Sequence, residues 1–316
     1  MQLSVSSESK GLDVAVLQRQ LKTQIIGIGD KLHYLPTVDS TNSLAMKLAN
    51  ERSEEGVVVL TDTQTAGKGR LGRRWVDVAG CNVLSSTLLR PHFPPHFLIM
   101  VASLAIMDAI FETCAISANI KWPNDVLIGD RKVAGILIET SHIQCGSAEQ
   151  DRSSQLVAIV GIGVNVNGHI KNMSLEEALS NDGQSLEETL QQPGYLQQAS
   201  LHSTATTLET ECGHEVSREV FIAHLLQHVE ADYQALQREA RELPSAGNGH
   251  SPASHAIWER WRGQLSTPGR PVQVRQGSTI ISGVAEDVNE DGELLLRSHS
   301  GELVNITWGD VGYPTE

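Results

Sequence analysis

The stretch Thr65-Ala66-Gly67-Lys68-Gly69-Arg70-Leu71-Gly72-Arg73-Arg74-Trp75 is the most informative part of this sequence, and it follows a predicted strand at residues 57–61. It concentrates four cations in a chain whose 24 Lys and Arg and 38 Asp and Glu residues leave a net charge of −14. Glycines allow a backbone to turn its N–H groups toward a ligand, and arginine forks pair with phosphate or carboxylate oxygens. The stretch therefore predicts a loop that wraps an anion, with an ordinary solvated basic loop as the alternative.

The spacing of this loop excludes two common nucleotide-binding folds. Its three glycines match the dinucleotide fingerprint, but that fingerprint requires a helix at the glycines and an acidic residue about twenty positions further on. Here a second predicted strand follows at residues 82–89, and the region near Arg90 has no carboxylate. A P-loop fails as well, because Gly69 stands where Ser or Thr is required and Asp62 replaces the first glycine. We expect phosphate binding in a different scaffold.

Size and composition indicate a folded protein of about two domains. Of the 316 residues, 40% are hydrophobic and 20% are charged, which is enough apolar surface to offset the entropy lost on folding. A net charge of −14 argues against general binding to nucleic acid or to an anionic membrane, because both require a basic surface.

Targeting and redox features favour a cytoplasmic protein with no membrane partner. Cys81, Cys114, Cys145 and Cys212 are too far apart for a CxxC metal knuckle or a dense disulfide framework, so we interpret them as free thiols in a reducing compartment. The first ten residues lack a cationic segment followed by an apolar one, so no secretory signal is predicted. The most apolar segment, 97–111, is shorter than the roughly 18 residues that a membrane span requires.

Hydrophobic periodicity divides the chain into three parts. Residues 1–33 hold one short amphipathic stretch and are interpreted as an extension that packs on the main body. In the main part, 34–263, strand patterns alternate with helix patterns. Its strands are predicted at 57–61, 82–89, 133–139 and 155–166, its helices at 41–50 and 97–116, with further apolar faces at 175–190 and 220–236 and polar inserts at 145–154 and 243–255. Regular turns in 264–316 predict a small antiparallel barrel.

A second motif, Lys121-Trp122-Pro123-Asn124-Asp125-Val126, is followed closely by Asp130-Arg131-Lys132-Val133-Ala134-Gly135. The proline and the Asn-Asp pair predict strand, tight turn and strand, which brings Lys121, Asp125 and Lys132 to one edge. A carboxylate beside lysines can hold Mg²⁺ while the ammonium groups neutralise phosphate charge. An exposed, salt-bridged turn is the alternative.

Two weaker motifs complete the set. In Gly161-Ile162-Gly163-Val164-Asn165-Val166-Asn167, the glycines indicate either a packing bulge or a ligand lying on the strand, and an asparagine amide can pair with a purine edge. In Asp39-Ser40-Thr41-Asn42, the hydroxyls cap a helix and can also face a ligand.

Taken together, these motifs resemble the catalytic domain of biotin protein ligases, also called biotin-[acetyl-CoA-carboxylase] ligases. The blocks that match in order and spacing are residues 39–42, 64–75, 121–125, 130–139 and 161–167. The resemblance covers about 34–262, and residues 269–311 resemble the small SH3-like C-terminal domain of the family. It implies an α+β fold: a mixed-sheet, class II synthetase-like catalytic domain at 34–263, followed by an SH3-like β-barrel at 264–316.

The resemblance also implies a two-step reaction that uses ATP, biotin and Mg²⁺. The biotin carboxylate attacks the α-phosphorus of MgATP, which forms biotinyl-5′-AMP and releases pyrophosphate. A lysine amine of a biotin carboxyl carrier protein then attacks the mixed anhydride and releases AMP. Each nucleophile arrives with a substrate, so catalysis should consist of positioning and charge neutralisation.

We assign the site residues by matching each motif of this sequence to the corresponding motif of the family. The resemblance implies that biotin is bound by Ser40, Thr41, Gln64, Lys68, Gly69, Arg70, Lys132 and Gly135. It implies that the nucleotide is bound by Arg70, Arg73, Trp75, Lys132, Gly163 and Asn165. Arg70, Arg73 and Lys132 are the predicted catalytic residues, and Asp125 is the predicted metal carboxylate. Asn165 is expected at the adenine, while Gly135 and Gly161 are expected to let the ligand lie against strand backbone.

One departure from the family pattern, one prediction about DNA binding and two alternative functions accompany this assignment. Lys68 occupies a position that is often arginine, which keeps the charge but loses the planar fork. About thirty residues precede the matching blocks, fewer than a helix-turn-helix module needs, so we predict a monofunctional enzyme without specific DNA binding. A lipoate or octanoyl ligase or transferase, or a biotin sensor without turnover, would share much of the same pattern.

Overall fold

The structure is a computed structural model that describes residues 11–145, 153–168, 205–242 and 252–314. The apolar face predicted at 175–190 lies outside the described residues, as do the centres of the two polar inserts.

The main part is built on a seven-stranded mixed sheet. Its strands are β1 (Leu32–Val38), β2 (Val58–Gln64), β3 (Val83–Leu89), β4 (Asn119–Lys121), β5 (Asp125–Ile128), β6 (Arg131–Cys145) and β7 (Ser153–Val164). They are ordered β1-β2-β3-β7-β6-β5-β4. The β1–β2 pair is parallel and the other neighbours are antiparallel, which confirms the predicted mixed-sheet fold.

Helices cover both faces of this sheet. The described residues form α1 (Val14–Gln20), α2 (Thr41–Asn50), α3 (Phe97–Cys114), α4 (Leu208–Cys212), α5 (Arg218–Glu242) and α6 (Pro252–Gly263). Helix α2 packs Ala45 and Ala49 on one face, whereas α3 and α5 belong to the larger cluster on the other. Ser40 is the N-cap of α2, and its hydroxyl accepts a hydrogen bond from the Ser43 N–H at 3.4 Å. The cap fixes the start of α2 and therefore the position of the residues beside it.

Helix α3 is apolar on most of its circumference because it is the central helix of the core. It is 18 residues long, so the expectation that this segment is too short for a membrane span was wrong on length. Among the described helices it alone is long and apolar enough to cross a membrane, with a mean hydropathy of 1.9. Eleven of its residues are buried in the protein interior, as expected for a core helix.

The N-terminal segment packs on the main part, as predicted. Helix α1 buries Leu17 and contacts α5. The carboxylate of Glu230 on α5 accepts hydrogen bonds from the backbone N–H groups of Gln24, Ile25 and Ile26 at 2.5, 2.8 and 2.8 Å. These bonds satisfy a buried carboxylate and hold the segment against α5.

The C-terminal part is a five-stranded antiparallel sheet, which confirms the predicted small β domain. Its strands are β8 (Pro271–Gln276), β9 (Thr279–Val288), β10 (Leu294–Ser298), β11 (Leu303–Ile306) and β12 (Asp310–Gly312). It is joined to the first sheet through Trp122, whose backbone N–H donates to Thr267 Oγ1 at 3.0 Å and whose indole N–H donates to the Gly292 carbonyl at 2.9 Å. This packing brings β12 beside the turn between β4 and β5.

Candidate active site

One cavity contains nearly all of the site residues predicted from the sequence. It lies between the start of α2, strands β3, β6 and β7, and the glycine-arginine loop at 65–75. The predicted residues that line it are Ser40, Thr41, Gln64, Lys68, Gly69, Arg70, Arg73, Trp75, Asp125, Lys132, Gly135 and Gly163. Residues from six separate segments therefore converge on one space.

Hydroxyl and amide groups form one end of this cavity, which we call the polar end (Ser40, Thr41 and Gln64). The backbone N–H and the hydroxyl of Thr41 both donate to Gln64 Oε1, at 2.8 and 3.1 Å. Behind them, the buried Ser86 hydroxyl lies 2.7 Å from Thr41 Oγ1 and 2.6 Å from Asn42 Oδ1. This network holds hydroxyl and amide groups that can donate to and accept from a small neutral ligand.

The glycine-arginine loop folds over the cavity as a short hairpin. The Gly69 N–H donates to the Arg73 carbonyl at 2.7 Å, and the Trp75 N–H donates to the Gly67 carbonyl at 3.0 Å. At its tip the φ angle of Leu71 is 55°, in the left-handed region. These two bonds close the loop on itself.

Arg70 fastens this loop to two other parts of the chain. Its Nη1 donates to Asn124 Oδ1 at 2.7 Å, and its Nη2 donates to the Gly309 carbonyl at 3.3 Å. Burial lowers the pKa of Arg70, although an arginine stays charged at neutral pH. On the opposite side of the loop, Lys68 Nζ lies 3.6 Å from a carboxylate oxygen of Glu139.

The other end of the cavity, which we call the cationic end (Arg70, Arg73 and Lys132), carries the charge that an anionic ligand needs. Lys132 Nζ is 2.7 Å from Asp125 Oδ1, and Arg73 forms an ion pair with Asp310 of β12. The Lys132 ammonium also lies 5.6 Å from the centre of the Trp75 ring. The predicted meeting of Asp125 and Lys132 at one edge is confirmed.

Trp75 explains why glycines occupy facing positions on β6 and β7. A Cβ atom at Gly163 would lie 2.6 Å from Trp75 Cε2, and one at Gly135 would lie 3.0 Å from Trp75 Cζ3. The indole therefore lies directly on the strands, where we had expected a ligand. Its N–H is buried and has no hydrogen-bond partner among the described residues.

Gly161 and Asn165 are arranged differently from the sequence-based expectation. A Cβ at Gly161 would lie 2.1 Å from Asn42 Oδ1, so this glycine makes room for a side chain of α2. Asn165 is 7% exposed and does not line the cavity. Its amide donates to the Thr206 carbonyl at 3.1 Å, and the Thr206 N–H donates to the Lys132 carbonyl at 2.9 Å. The amide is thus engaged in holding the segment that carries Lys132.

Four residues of the site received no role in the sequence analysis. Asn124 and Asp310 contact the catalytic candidates Arg70 and Arg73. Glu139 pairs with Lys68, and the Asn42 amide donates to Glu139 Oε2 at 2.8 Å. Asn42, Asn124 and Glu139 lie inside motifs that the sequence analysis recognised, and that position was the signal that could have identified them. Asp310 belongs to the last strand of the barrel, and no local pattern connects it with the loop.

The carboxylates fit a magnesium ion only together with a ligand. The described residues contain no group of three or more His, Cys, Asp or Glu side chains able to hold a metal. Asp125 uses Oδ1 for Lys132 at 2.7 Å, and Mg²⁺ is commonly bound through one or two carboxylates, water and substrate phosphates. The site therefore suits a metal that arrives with a nucleotide.

The cavity has a polar end and a cationic end under one loop, so it can hold a small neutral group and an anion side by side. A ligase that activates a carboxylic acid with a nucleotide needs such a site. Family models match twice: residues 34–165 match the biotin/lipoate A/B protein ligase family, and 267–311 match the biotin protein ligase C terminal domain. The chain belongs to the biotin protein ligase family.

Individual relatives agree with this membership. The biotin–[acetyl-CoA-carboxylase] ligase of Paracoccus denitrificans is 34% identical over 85% of this chain and 95% of that protein. The bifunctional ligase/repressor BirA of Bacillus subtilis is 32% identical over 89% of this chain and 73% of that protein. Among solved structures, biotin protein ligase from Aquifex aeolicus in complex with biotin and ATP is 25% identical, with a TM-score of 0.61 over 89% of this chain and 97% of that one.

Proposed function

We propose that this chain is an ATP-dependent biotin protein ligase, which forms biotinyl-5′-AMP and transfers the biotinyl group to a lysine of a biotin carboxyl carrier protein. The observation that carries the proposal is the convergence of the family's motif residues on one cavity with a polar and a cationic end. Relatives named biotin–[acetyl-CoA-carboxylase] ligase and a structural neighbour bound to biotin and ATP support it.

Biotin fits the polar end through its ureido ring, which offers one carbonyl acceptor and two N–H donors. Ser40, Thr41 and Gln64 supply matching hydroxyl and amide groups. Because Gln64 Oε1 already accepts two hydrogen bonds from Thr41, the orientation of its amide is set before biotin arrives. The backbone of residues 68–70 covers this end.

The cationic end serves the first chemical step. A carboxylate and a triphosphate repel each other, so the attack requires cations at both anions. Lys132 lies between Asp125 and Trp75, in position to contact the biotin carboxylate and the α-phosphate together. Arg70 and Arg73 bind the adenylate phosphate, and Trp75, whose ring lies 5.6 Å from the Lys132 ammonium, contacts the nucleotide. Holding both reactants in one orientation supplies much of the remaining acceleration.

A magnesium ion that arrives with ATP would be held at the same end of the cavity. Asp125 would hold it, and the bound ion would neutralise phosphate charge. For Asn165 we propose a positioning role, because its amide supports the backbone of Thr206, which in turn binds the backbone of Lys132.

The domain division and cellular setting remain proposals of the same kind. We propose an N-terminal extension at 1–33, a catalytic domain at 34–263 and an SH3-like domain at 264–316. The cytoplasm suits the described thiols, since Cys81, Cys114 and Cys212 are free.

The proposed function is tested by mass spectrometry of a carrier domain incubated with the protein, biotin, ATP and Mg²⁺. We expect one added biotinyl group, at one lysine. Parallel reactions contain lipoate or octanoate in place of biotin. Modification by these acids alone would identify a lipoate or octanoyl ligase, and biotin binding without biotinyl-5′-AMP formation would identify a sensor.

Replacing Gly163 by Ala should weaken ligand binding by about tenfold or more and leave the fold intact. The new Cβ would meet the Trp75 indole at 2.6 Å, and a partly buried side chain on a loop moves more readily than a central strand. Calorimetric titration with biotin and ATP, beside a melting curve, measures the two effects. Gly263→Ala is the matched control, because a Cβ there meets no atom within 4 Å. Wild-type affinities for Gly163→Ala would contradict the role given to Trp75.

A further inference from the structure

One ion pair connects the glycine-arginine loop to the central sheet. The Lys68 ammonium lies 3.6 Å from Glu139 Oε1 on β6, and both side chains are partly exposed. Lys68 lines the active-site cavity and also a groove beside the loop, whereas Glu139 lines only that groove. The positive charge of Lys68 is therefore neutralised by a carboxylate outside the active-site cavity.

The carboxylate of Glu139 is itself held by a buried side chain. Its Oε2 accepts a hydrogen bond at 2.8 Å from the amide of Asn42, which is 4% exposed and lies in the first turn of α2. Because a carboxylate only accepts, the amide nitrogen must face Glu139, and the amide oxygen then accepts from the Ser86 hydroxyl at 2.6 Å. A carboxylate fixed in this way loses little further side-chain entropy when it pairs with a lysine.

The ion pair acts on the stem of the loop. Lys68 forms a β-bridge with Arg74 across the hairpin. Trp75 comes next in the chain, and its indole covers Gly135 and Gly163. Holding Lys68 against β6 therefore also holds Trp75 on the two strands.

Arg70, at the other side of the loop, uses its charge differently. It donates to neutral acceptors, Asn124 Oδ1 and the Gly309 carbonyl, so its charge remains available to an anionic ligand. Lys68, by contrast, would have to leave the Glu139 carboxylate before its ammonium could bind the carboxylate of biotin.

We infer that Glu139 is a positioning residue that holds the glycine-arginine loop closed through Lys68, with Asn42 as its support. The Lys68 ammonium then serves loop closure, and the contact of Lys68 with biotin is left to its backbone. The closed loop retains biotinyl-5′-AMP, and this last consequence rests on the proposed function.

The first test is limited digestion with trypsin in the absence of ligand, using Glu139→Gln. Glutamine keeps an acceptor for the Asn42 amide but loses the charge that attracts Lys68. All four basic residues of the loop remain as cleavage sites, and cleavage follows the population of open loop. We expect cleavage in the loop to be about three- to fivefold faster, the upper part of the range for partly exposed ion pairs.

Glu286→Gln is the matched control for this digestion. It removes a carboxylate from a similarly exposed ion pair, that of Glu286 with Arg297 in the barrel, and Glu286 lines neither the active-site cavity nor the groove. Loop cleavage in this variant should equal that of the wild type.

A double variant shows whether the two side chains act as a pair. Lys68→Met also removes the charge pair, and its cleavage is compared at the bonds that follow Arg70, Arg73 and Arg74. Combined with Glu139→Gln, it should open the loop no further than the more open of the two single variants, because both changes remove the same interaction. Effects that multiply in the double variant would overturn the inference.

The second test follows the escape of labelled biotinyl-5′-AMP from the Glu139→Gln protein. We expect escape to be faster by a factor similar to that for cleavage, and added salt should narrow the difference from the wild type because it screens an exposed ion pair. Wild-type cleavage and escape would overturn the inference. Slower escape would do so as well, because it would show that Lys68, once released from Glu139, binds the ligand. If the wild-type protein formed no biotinyl-5′-AMP, the proposed function would fail, whereas the digestion would still decide the role of Glu139.

Discussion

Replacing Lys132 by Ala is expected to slow biotinyl-5′-AMP formation by about 10²- to 10³-fold, the usual effect of removing one group that stabilises charge in a transition state. The loss arises because Lys132 is the cation between the two reacting anions. Its removal also leaves Asp125, 2.7 Å away in the native protein, without its partner and next to the phosphates. Both effects raise the barrier to attack.

The measurement is single-turnover formation of biotinyl-5′-AMP, with a melting curve to show that the variant is folded. Lys132 is about one third exposed and sits at the rim of the sheet, so its truncation opens no core cavity. Lys47→Ala is the matched control, because Lys47 is an exposed lysine of α2 that pairs only weakly, at 4.0 Å, with Glu51. A folded Lys132→Ala protein with wild-type activation would show that the lysine has been given the wrong role.

Replacing Arg70 by Gly is expected to speed the escape of biotinyl-5′-AMP by about 10- to 100-fold. Arg70 connects the loop to Asn124 and to the Gly309 carbonyl, so its loss frees the loop from two separate segments as well as removing a phosphate ligand. The released anhydride would then acylate lysines on proteins other than the carrier.

Retention is measured by isolating the enzyme with labelled biotinyl-5′-AMP and following its release, and labelling of an unrelated protein is followed in parallel. Leu71→Gly controls for added backbone freedom, because Leu71 is 51% exposed, lies outside the active-site cavity and already has a φ of 55° that glycine adopts readily. Retention in Arg70→Gly equal to that of the wild type would exclude the loop as a lid held by this side chain.

Local patterns predicted much of the fold. Helix α2 begins and ends where its cap and apolar spacing indicated, at Thr41 and Asn50. The sequence around Trp122 to Asn124 predicted a turn between two strands, and β4 and β5 flank it. These features depend on residues within a few positions of each other, so a short stretch of sequence contains the information.

Other features depended on neighbours that are distant in sequence. Asn165 carries an amide suited to a purine, but the segment at Thr206 occupies that amide. Gly161 and Gly163 were interpreted as a packing bulge or as the place where a ligand lies on the strand, whereas the groups that approach them are the side chains of Asn42 and Trp75. Glycines within a strand indicate that another group packs closely against the backbone there. Whether that group is a ligand or a side chain depends on the tertiary structure.

The sequence by itself determined which functional groups this protein carries. They are a cationic glycine-rich loop, and a lysine and an aspartate that adjacent strands bring together. Hairpin register and helix periodicity are short-range properties, so these elements could be predicted. Only the tertiary structure showed that a residue of the C-terminal barrel, Asp310, lies at the active-site cavity. Arg73 and Asp310 are 237 positions apart, and their contact depends on how the barrel packs around Trp122. That long-range packing leaves no periodic signal in the chain.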